Sequence, residues 1–240
     1  MGLTFHSRGR HDSRLPRPIV IVTARDEADR LGATLRALGG AFPDARVVVA
    51  DDGSRDATAH VALQAGAELV RAYPARGKGG AATLAAERVM AAALAPERPT
   101  VLLCDGDLGE SAARLGPLAA AVERGEADFA IAAFARREGG GLGLALRFAH
   151  RVIRALTGLD LRAPISGQRA LRGEVLPVVV PFAHGFGMEI GMTVDAARAG
   201  YRVAEVELDL AHRATGRSLR GFAHRGRQLA DFARVYLDRR

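Results

Sequence analysis

Three times in the first half of this chain, a short apolar run of strand-forming residues stops at acidic ones. "PIVIVTARDE" ends at Asp26 and Glu27, "VVVADDGSRD" runs into Asp51, Asp52 and Asp56, and "VLLCDGD" stops at Asp105 and Asp107. Short runs that are apolar at nearly every position belong to strands buried on both faces. Between them lie segments of helical period. In "RDEADRLGATLRAL", Leu31, Leu35 and Leu38 fall at i, i+4 and i+7 on one helical face. "RDATAHVALQAG" reads as a helix closed by Gly66, "AELVRA" as a further strand, "KGGAATLAAERVMAAALA" as an alanine-rich helix and "EADFAIAA" as a fifth strand. Strand and helix alternating over short connections predict an α/β fold, a Rossmann-like, mostly parallel sheet with helices on both faces.

After about residue 135 the pattern changes. "RREGGGLGLALRFAHRVIRALTG" opens on the flexible cluster Gly139 to Gly141 and continues as a helix. "DLRAPISGQRALRGEVL" reads as a loop, "EIGMTVDAARAG" as a helix, "RVAEVELDL" as a strand, and "SLRGFAHRGRQLADFARVYLDRR" as a final helix. We read residues 1–16 as a flexible basic lead-in and 17–240 as one domain. Its nucleotide-type half spans 17–135 and its more variable half 136–240.

Composition narrows the partners. The net charge of +7 favours an anion: nucleic acid, an anionic membrane surface or a phosphorylated small molecule. With three Tyr, nine Phe and no Trp there is little to stack on bases, so nucleic acid is not the expected partner. The single cysteine, Cys104, excludes an internal disulfide and a cysteine-rich zinc site and fits a reducing cytoplasm. No apolar run reaches the ~20 residues of a spanning helix, and the first residues lack the apolar core of a secretory signal.

Ligands of an open parallel sheet bind beyond the carboxyl ends of its strands. Three acidic clusters on one edge would repel phosphate unless a cation sat there. Asp105 and Asp107 offer two carboxylates, the donors that Mg²⁺ or Mn²⁺ take alongside substrate phosphates, and Gly106 lets the chain turn between them. Cys104 reads as a packed small hydrophobe rather than a ligand. "ARGKGGAA" combines three glycines and Lys78 at a helix start, a setting that attracts phosphate. It is not a Walker loop, and no G-x-G-x-x-G follows the first strand.

In this order and spacing, "VIVTARDEADRLGATL", "VVVADDGSRDAT", "ARGKGGAATL" and "VLLCDGDL" resemble family 2 glycosyltransferases of the GT-A fold. "ISGQRALRGEVL" and "FGMEIGMTVDAARAGYRVAEVELDLAHRATGRS" extend the resemblance to dolichyl- and polyprenyl-phosphate sugar transferases and to glucosyl-3-phosphoglycerate synthases. The resemblance covers about residues 17–220 and implies a metal-dependent transfer of sugar from a nucleotide-sugar donor, UDP-linked by preference, to a phosphate-bearing acceptor. It implies that Asp105, Asp107 and His212 hold Mg²⁺ or Mn²⁺, with Asp107 catalytic. It places Ala24, Glu27, Asp51, Asp52 and Ser54 around base and ribose, with Lys78 and Asp105 at the diphosphate. Gly167, Gln168, Arg169 and Arg172 would form the acceptor loop, with the arginines suited to phosphate, although Arg172 reads first as a solvated helix charge. Glu189 would be a second catalytic carboxylate, although a phosphate acceptor is already ionised and needs no base. The family's usual "P-x-N-E" here reads "T-A-R-D-E", with Thr23 and Asp26 in place of proline and asparagine.

The tail bears on the acceptor. On a helical wheel Leu219, Phe222, Leu229, Phe232, Ala233, Tyr236 and Leu237 share one face and Arg220, Arg227 and Arg234 lie opposite. Such a helix suits either the cytoplasmic face of an anionic bilayer, where a polyprenyl phosphate would be met, or packing on its own domain. Polyprenyl phosphate leads as acceptor, a soluble phosphorylated acid such as 3-phosphoglycerate is the first alternative, and a nucleotidyltransferase of similar fold the second. A homodimer is compatible with the chain and not specified by it.

Overall fold

A computed structural model describes residues 16–134, 143–209 and 230–240. The first half contributes β1 (Ile19–Ala24), α1 (Leu31–Ala41), β2 (Arg46–Asp51), α2 (Thr58–Gln64), β3 (Glu68–Arg71), α3 (Gly77–Ala93), β4 (Thr100–Asp105), α4 (Gly116–Glu123) and β5 (Phe129–Phe134). The second contributes α5 (Gly143–Thr157), β6 (Arg169–Arg172), α6 (Leu176–Val179), α7 (Met188–Arg198) and β7 (Val203–Leu208). Residues 230–238 form a C-terminal helix.

The seven strands make one sheet in the order β3-β2-β1-β4-β6-β5-β7. Four of the six pairings are parallel, and the two made by β6 are antiparallel, so the sheet is mostly parallel as expected. Its two faces explain the unbroken apolar runs. In β1, Ile19 and Ile21 pack on one face and Val20, Val22 and Ala24 on the other, all buried. The first face is covered by α3, α5 and α7, whose alanines Ala81, Ala82, Ala85 and Ala86 let α3 lie close to the sheet. The second is covered by α1 and α4, with Leu31, Leu35 and Leu38 inward. Burying each such leucine contributes about 1.5–3 kcal/mol.

Two differences from the sequence reading bear on function. The segment read wholly as a loop after residue 158 contains β6, which pairs with β4 and β5 and runs against both. The first helix begins at Leu31 rather than near Asp26, leaving residues 25–30 as a loop over the sheet edge.

The described part of the tail packs on its own domain. Phe232 and Val235 are 1% and 2% exposed, and Phe232 stacks on Phe148 at 6.4 Å between centroids. Asp231 accepts from the Phe186 amide at 3.0 Å, and Arg239 pairs with Asp195 through both carboxylate oxygens at 2.6 and 2.7 Å. An added Cβ at Gly187 would lie 2.5 Å from Val235 Cγ2, so this glycine is the seat of the C-terminal helix. Of the apolar face expected to meet a bilayer, Phe232 is spent on the core, Tyr236 packs against it and Leu237 is exposed; Leu219, Phe222 and Leu229 lie outside the described residues. Among the described residues no helix is long and apolar enough to cross a membrane.

Candidate functional site

The strand register sets the site. Ala24 pairs with Asp51 and Thr23 with Asp105, so the acidic ends of β1, β2 and β4 lie side by side. Because β6 runs the other way, its first residue, Arg169, pairs with Leu103 near the same edge, and the loop 164–168 arrives where β4 leaves. Arg172 lies at the far edge, opposite Thr100, where it pairs with Asp128 and Glu174.

The loops after β1 and β2 form one unit. Asp26 donates its amide to Ser54 Oγ at 2.9 Å and accepts from the Arg55 amide at 2.7 Å. The amides of Glu27 and Ala28 donate to Thr58 Oγ1 and Asp56 Oδ2 at 2.8 and 3.0 Å. Asp26 sits at φ 53°, the left-handed region that aspartate and asparagine tolerate better than other side chains. That accounts for an aspartate where the resembled pattern has asparagine. Asp56 serves the loop and the start of α2, as a turn residue.

Several residues expected to line an open donor pocket are engaged within this unit. Asp51 is fully buried: its Oδ1 accepts from the Ser54 amide and hydroxyl, and its Oδ2 lies 3.0 Å from Arg71 Nε. Asp52 accepts from the Arg76 amide at 2.7 Å and pairs with Arg25 at 3.1 Å. Ser54 and Ala24 are buried. The glycines expected to admit phosphate also admit protein: an added Cβ at Gly79 would overlap Ala183 O, and one at Gly77, at φ +77°, would touch Gly185 Cα at 3.6 Å.

Beside this unit the structure gathers the remaining candidates around one ammonium group. Lys78 Nζ lies 2.7 Å from Asp105 Oδ1 and 2.7 Å from Glu189 Oε1, joining α3, the end of β4 and the first turn of α7. Burial would push Lys78 down, but the two carboxylates and the bonds to them hold it above its ordinary value. Asp105 also accepts from Thr23 Oγ1 at 3.1 Å and Gln168 Nε2 at 3.2 Å. Thr23 was not singled out as a site residue; its signal was a hydroxyl at the end of an otherwise apolar strand. Gly167 has to be glycine here, since an added Cβ would overlap Asp105 Oδ2 and lie 2.8 Å from Lys78 Nζ.

Asp107 is half-buried, and its carboxylate has no hydrogen-bond or ion-pair partner among the described residues; only its carbonyl is used, accepting from Arg30 at 3.1 Å. Gly106 acts by its missing side chain rather than by an unusual turn: an added Cβ would press on Ala24 Cβ and Thr23 O, each at 3.2 Å. No three His, Cys, Asp or Glu side chains gather as a metal cage among the described residues. Two carboxylates, one without a partner, nonetheless suit a hard dication that completes its shell from water or a ligand. His212, the third expected ligand, lies outside the described residues. Cys104 is buried, and burial foremost pushes its thiol up, as befits an inert packing residue.

The acceptor-loop expectation needs correction at two positions. Arg169 is 1% exposed and its donors are spent inside the protein: on Ser166 O at 2.8 Å, Pro164 O at 3.0 Å and Thr193 Oγ1 at 2.8 Å, with Phe129 under the guanidinium at 5.4 Å. Burial lowers its pKa to about 10, against the opposing pull of Glu189 and Asp105. It anchors the loop and, through Thr193, whose hydroxyl donates to Glu189 O at 2.9 Å, the helix that carries Glu189. Gln168 is also fully buried, with its amide turned to Asp105 and its Oε1 without a partner among the described residues. Gly167 alone of the three reaches the site surface.

The family model "Glycosyl transferase family 2" matches residues 19–189. Glycosyltransferase AglJ of Haloferax volcanii is 31% identical over 170 residues, covering 68% of this chain; the chain spans about half of that relative, 52% of its length. An uncharacterised glycosyltransferase of Mycobacterium tuberculosis is 30% identical over 225 residues, covering 90% of this chain and 96% of that protein. Among solved structures, glucosyl-3-phosphoglycerate synthase from Mycobacterium tuberculosis, in complex with Mn²⁺, UDP and glucosyl-3-phosphoglycerate, superposes with a TM-score of 0.74 at 26% identity, covering 98% of this chain and 86% of that one.

Proposed function

Since the chain belongs to glycosyl transferase family 2, we propose that it transfers a sugar from a UDP-linked donor, with Mg²⁺ or Mn²⁺, to a phosphate-bearing acceptor. The observation that supports this reading is the Lys78 ammonium held between Asp105 and Glu189, which joins the residues expected at the donor to the one expected at the acceptor. Asp105 and Asp107 would hold the dication; when bound, it supplies positive charge against the diphosphate that leaves the sugar. Asp105 is oriented for this by Thr23 and Gln168. Glu189 would orient a sugar or acceptor hydroxyl: an ionised phosphate has no proton to give up, whereas a hydroxyl of a phosphorylated acid would pass its proton to this carboxylate or to the departing diphosphate as the new bond forms.

For the acceptor, a soluble phosphorylated acid now has more support than a polyprenyl phosphate. The related synthase binds glucosyl-3-phosphoglycerate, and the described tail buries Phe232 and Val235 in its own domain. A panel of UDP- and GDP-sugars with Mn²⁺, offered 3-phosphoglycerate without detergent or polyprenyl phosphate with it, tests donor and acceptor together. Transfer to the soluble acid is expected; transfer to the lipid alone would reverse the acceptor assignment. Asp107→Asn should lower transfer by on the order of 100-fold, and undiminished transfer would overturn the metal assignment.

A further inference from the structure

Resting on the reading of Asp105 and Asp107 as the metal-binding pair, we infer that Lys78 is the resident counter-cation of that site and makes metal and diphosphate bind together. Three of the carboxylates at this edge, Asp105, Asp107 and Glu189, lie at or just past the end of β4 and at the start of α7. Lys78 compensates Asp105 and Glu189, each at 2.7 Å, while Asp107 has no partner among the described residues. The ammonium shares Asp105 Oδ1 with the Thr23 hydroxyl, so it occupies the approach that a dication bound to that oxygen would use. Two cations on one carboxylate oxygen repel at close range. A metal arriving alone has to drive Lys78 off Asp105, and the displaced ammonium gains nothing.

A nucleoside diphosphate changes the balance. It brings the negative charge that a displaced ammonium can bind, and lysine is a point charge with three donors on a flexible stem. The Lys78 side chain is 25% exposed and sits at the start of α3 on a flexible four-carbon stem, so its tip can be re-aimed once a stronger anion arrives. Glu189, whose side chain is 8% exposed, remains as its second tether and keeps it within reach. The glycine at 167 leaves the space in which the ammonium lies. Metal and diphosphate therefore raise each other's affinity, and by linkage the two effects are equal.

Mn²⁺ binding, read from the electron paramagnetic resonance of the free ion with and without UDP, tests this without turnover. In the unsubstituted protein, UDP should tighten Mn²⁺ binding at least roughly tenfold. Lys78→Met should bind Mn²⁺ alone about tenfold more tightly and lose a corresponding part of that coupling, the remainder coming from the attraction between metal and diphosphate themselves. Lys78→Arg should keep the weak binding of metal alone. Lys78→Gln is measured in parallel, with melting curves, so that the result does not hang on one variant folding. Unchanged Mn²⁺ affinity in both neutral variants, with the UDP coupling intact, overturns the inference while leaving the metal reading in place. Absence of Mn²⁺ binding in the unsubstituted protein even with UDP overturns both.

Discussion

Replacing Arg169 by methionine separates an internal anchor from a ligand-binding arginine. Its guanidinium serves two backbone carbonyls and one hydroxyl from a site 1% exposed. Methionine fills much of the volume and donates nothing, which leaves three buried acceptors short of a partner. At about 1–3 kcal/mol for each, the gross loss is roughly 3–9 kcal/mol. One term runs the other way. Burial has lowered the arginine pKa from 12.5 to about 10, so a neutral side chain escapes a charge penalty of roughly 3 kcal/mol. That leaves roughly 0–6 kcal/mol, of which relaxation of the 164–168 loop recovers a part, and we expect a net destabilisation of about 2 kcal/mol. Arg169→Lys should fall between, because a compact ammonium cannot reach acceptors on two elements at once. Urea unfolding at pH 7 is the assay, followed by far-ultraviolet circular dichroism because the chain has no tryptophan. A midpoint equal to or above that of the unsubstituted protein would refute the reasoning: the guanidinium would then be a net burden, and something else would hold the loop.

Two further outcomes follow from the same geometry. Gly167→Ala forces Asp105 or Lys78 aside, and a displacement near 1 Å at a reacting site costs on the order of 100-fold in turnover; transfer within threefold of the original, with an unchanged melting temperature, would contradict it. Asp128 is held down to about 2, first by its bond to Arg202 and also by Arg172. A carboxylate depressed in the folded state stabilises above its unfolded value, so this contribution is present above about pH 4 and fades as pH falls towards 2. Given the exposure of Arg202, it amounts to about 1 kcal/mol. Asp128→Asn should be less stable than the parent at pH 6, and the two should converge near pH 2 in acid unfolding curves; a constant gap would count against it.

Much of the first half of the chain was legible because its signals are local. Continuous apolar runs gave β1, β2 and β4, and the Leu31, Leu35, Leu38 spacing gave α1. Asp105, Lys78 and Glu189 stood out as charges at element ends, and the sheet edge gathers them. What was illegible depended on distant partners. "RALR" carries arginine at both ends of a four-residue strand, and only the flanking β4 and β5 make it β6. Arg169 reads as a phosphate ligand until Thr193, 24 residues on, and Phe129, 40 residues back, are seen to enclose it. Gly79 looks like an opening for phosphate, yet its contact is the carbonyl of Ala183. The stapling of residues 26–28 to Ser54, Asp56 and Thr58 likewise joins two loops that lie far apart in the sequence.

The antiparallel strand has a consequence for building chimeras between relatives. In sheet order β5 lies between β6 and β7, both of which come later in the chain, and does not touch β4. A crossover placed after residue 134, where the composition changes, would pair one parent's β5 with foreign edges on both sides. Chimeras should exchange material from before Phe129 onward, so that β5, β6 and β7 travel as a set and only one strand pairing, β4 against β6, joins the two parents.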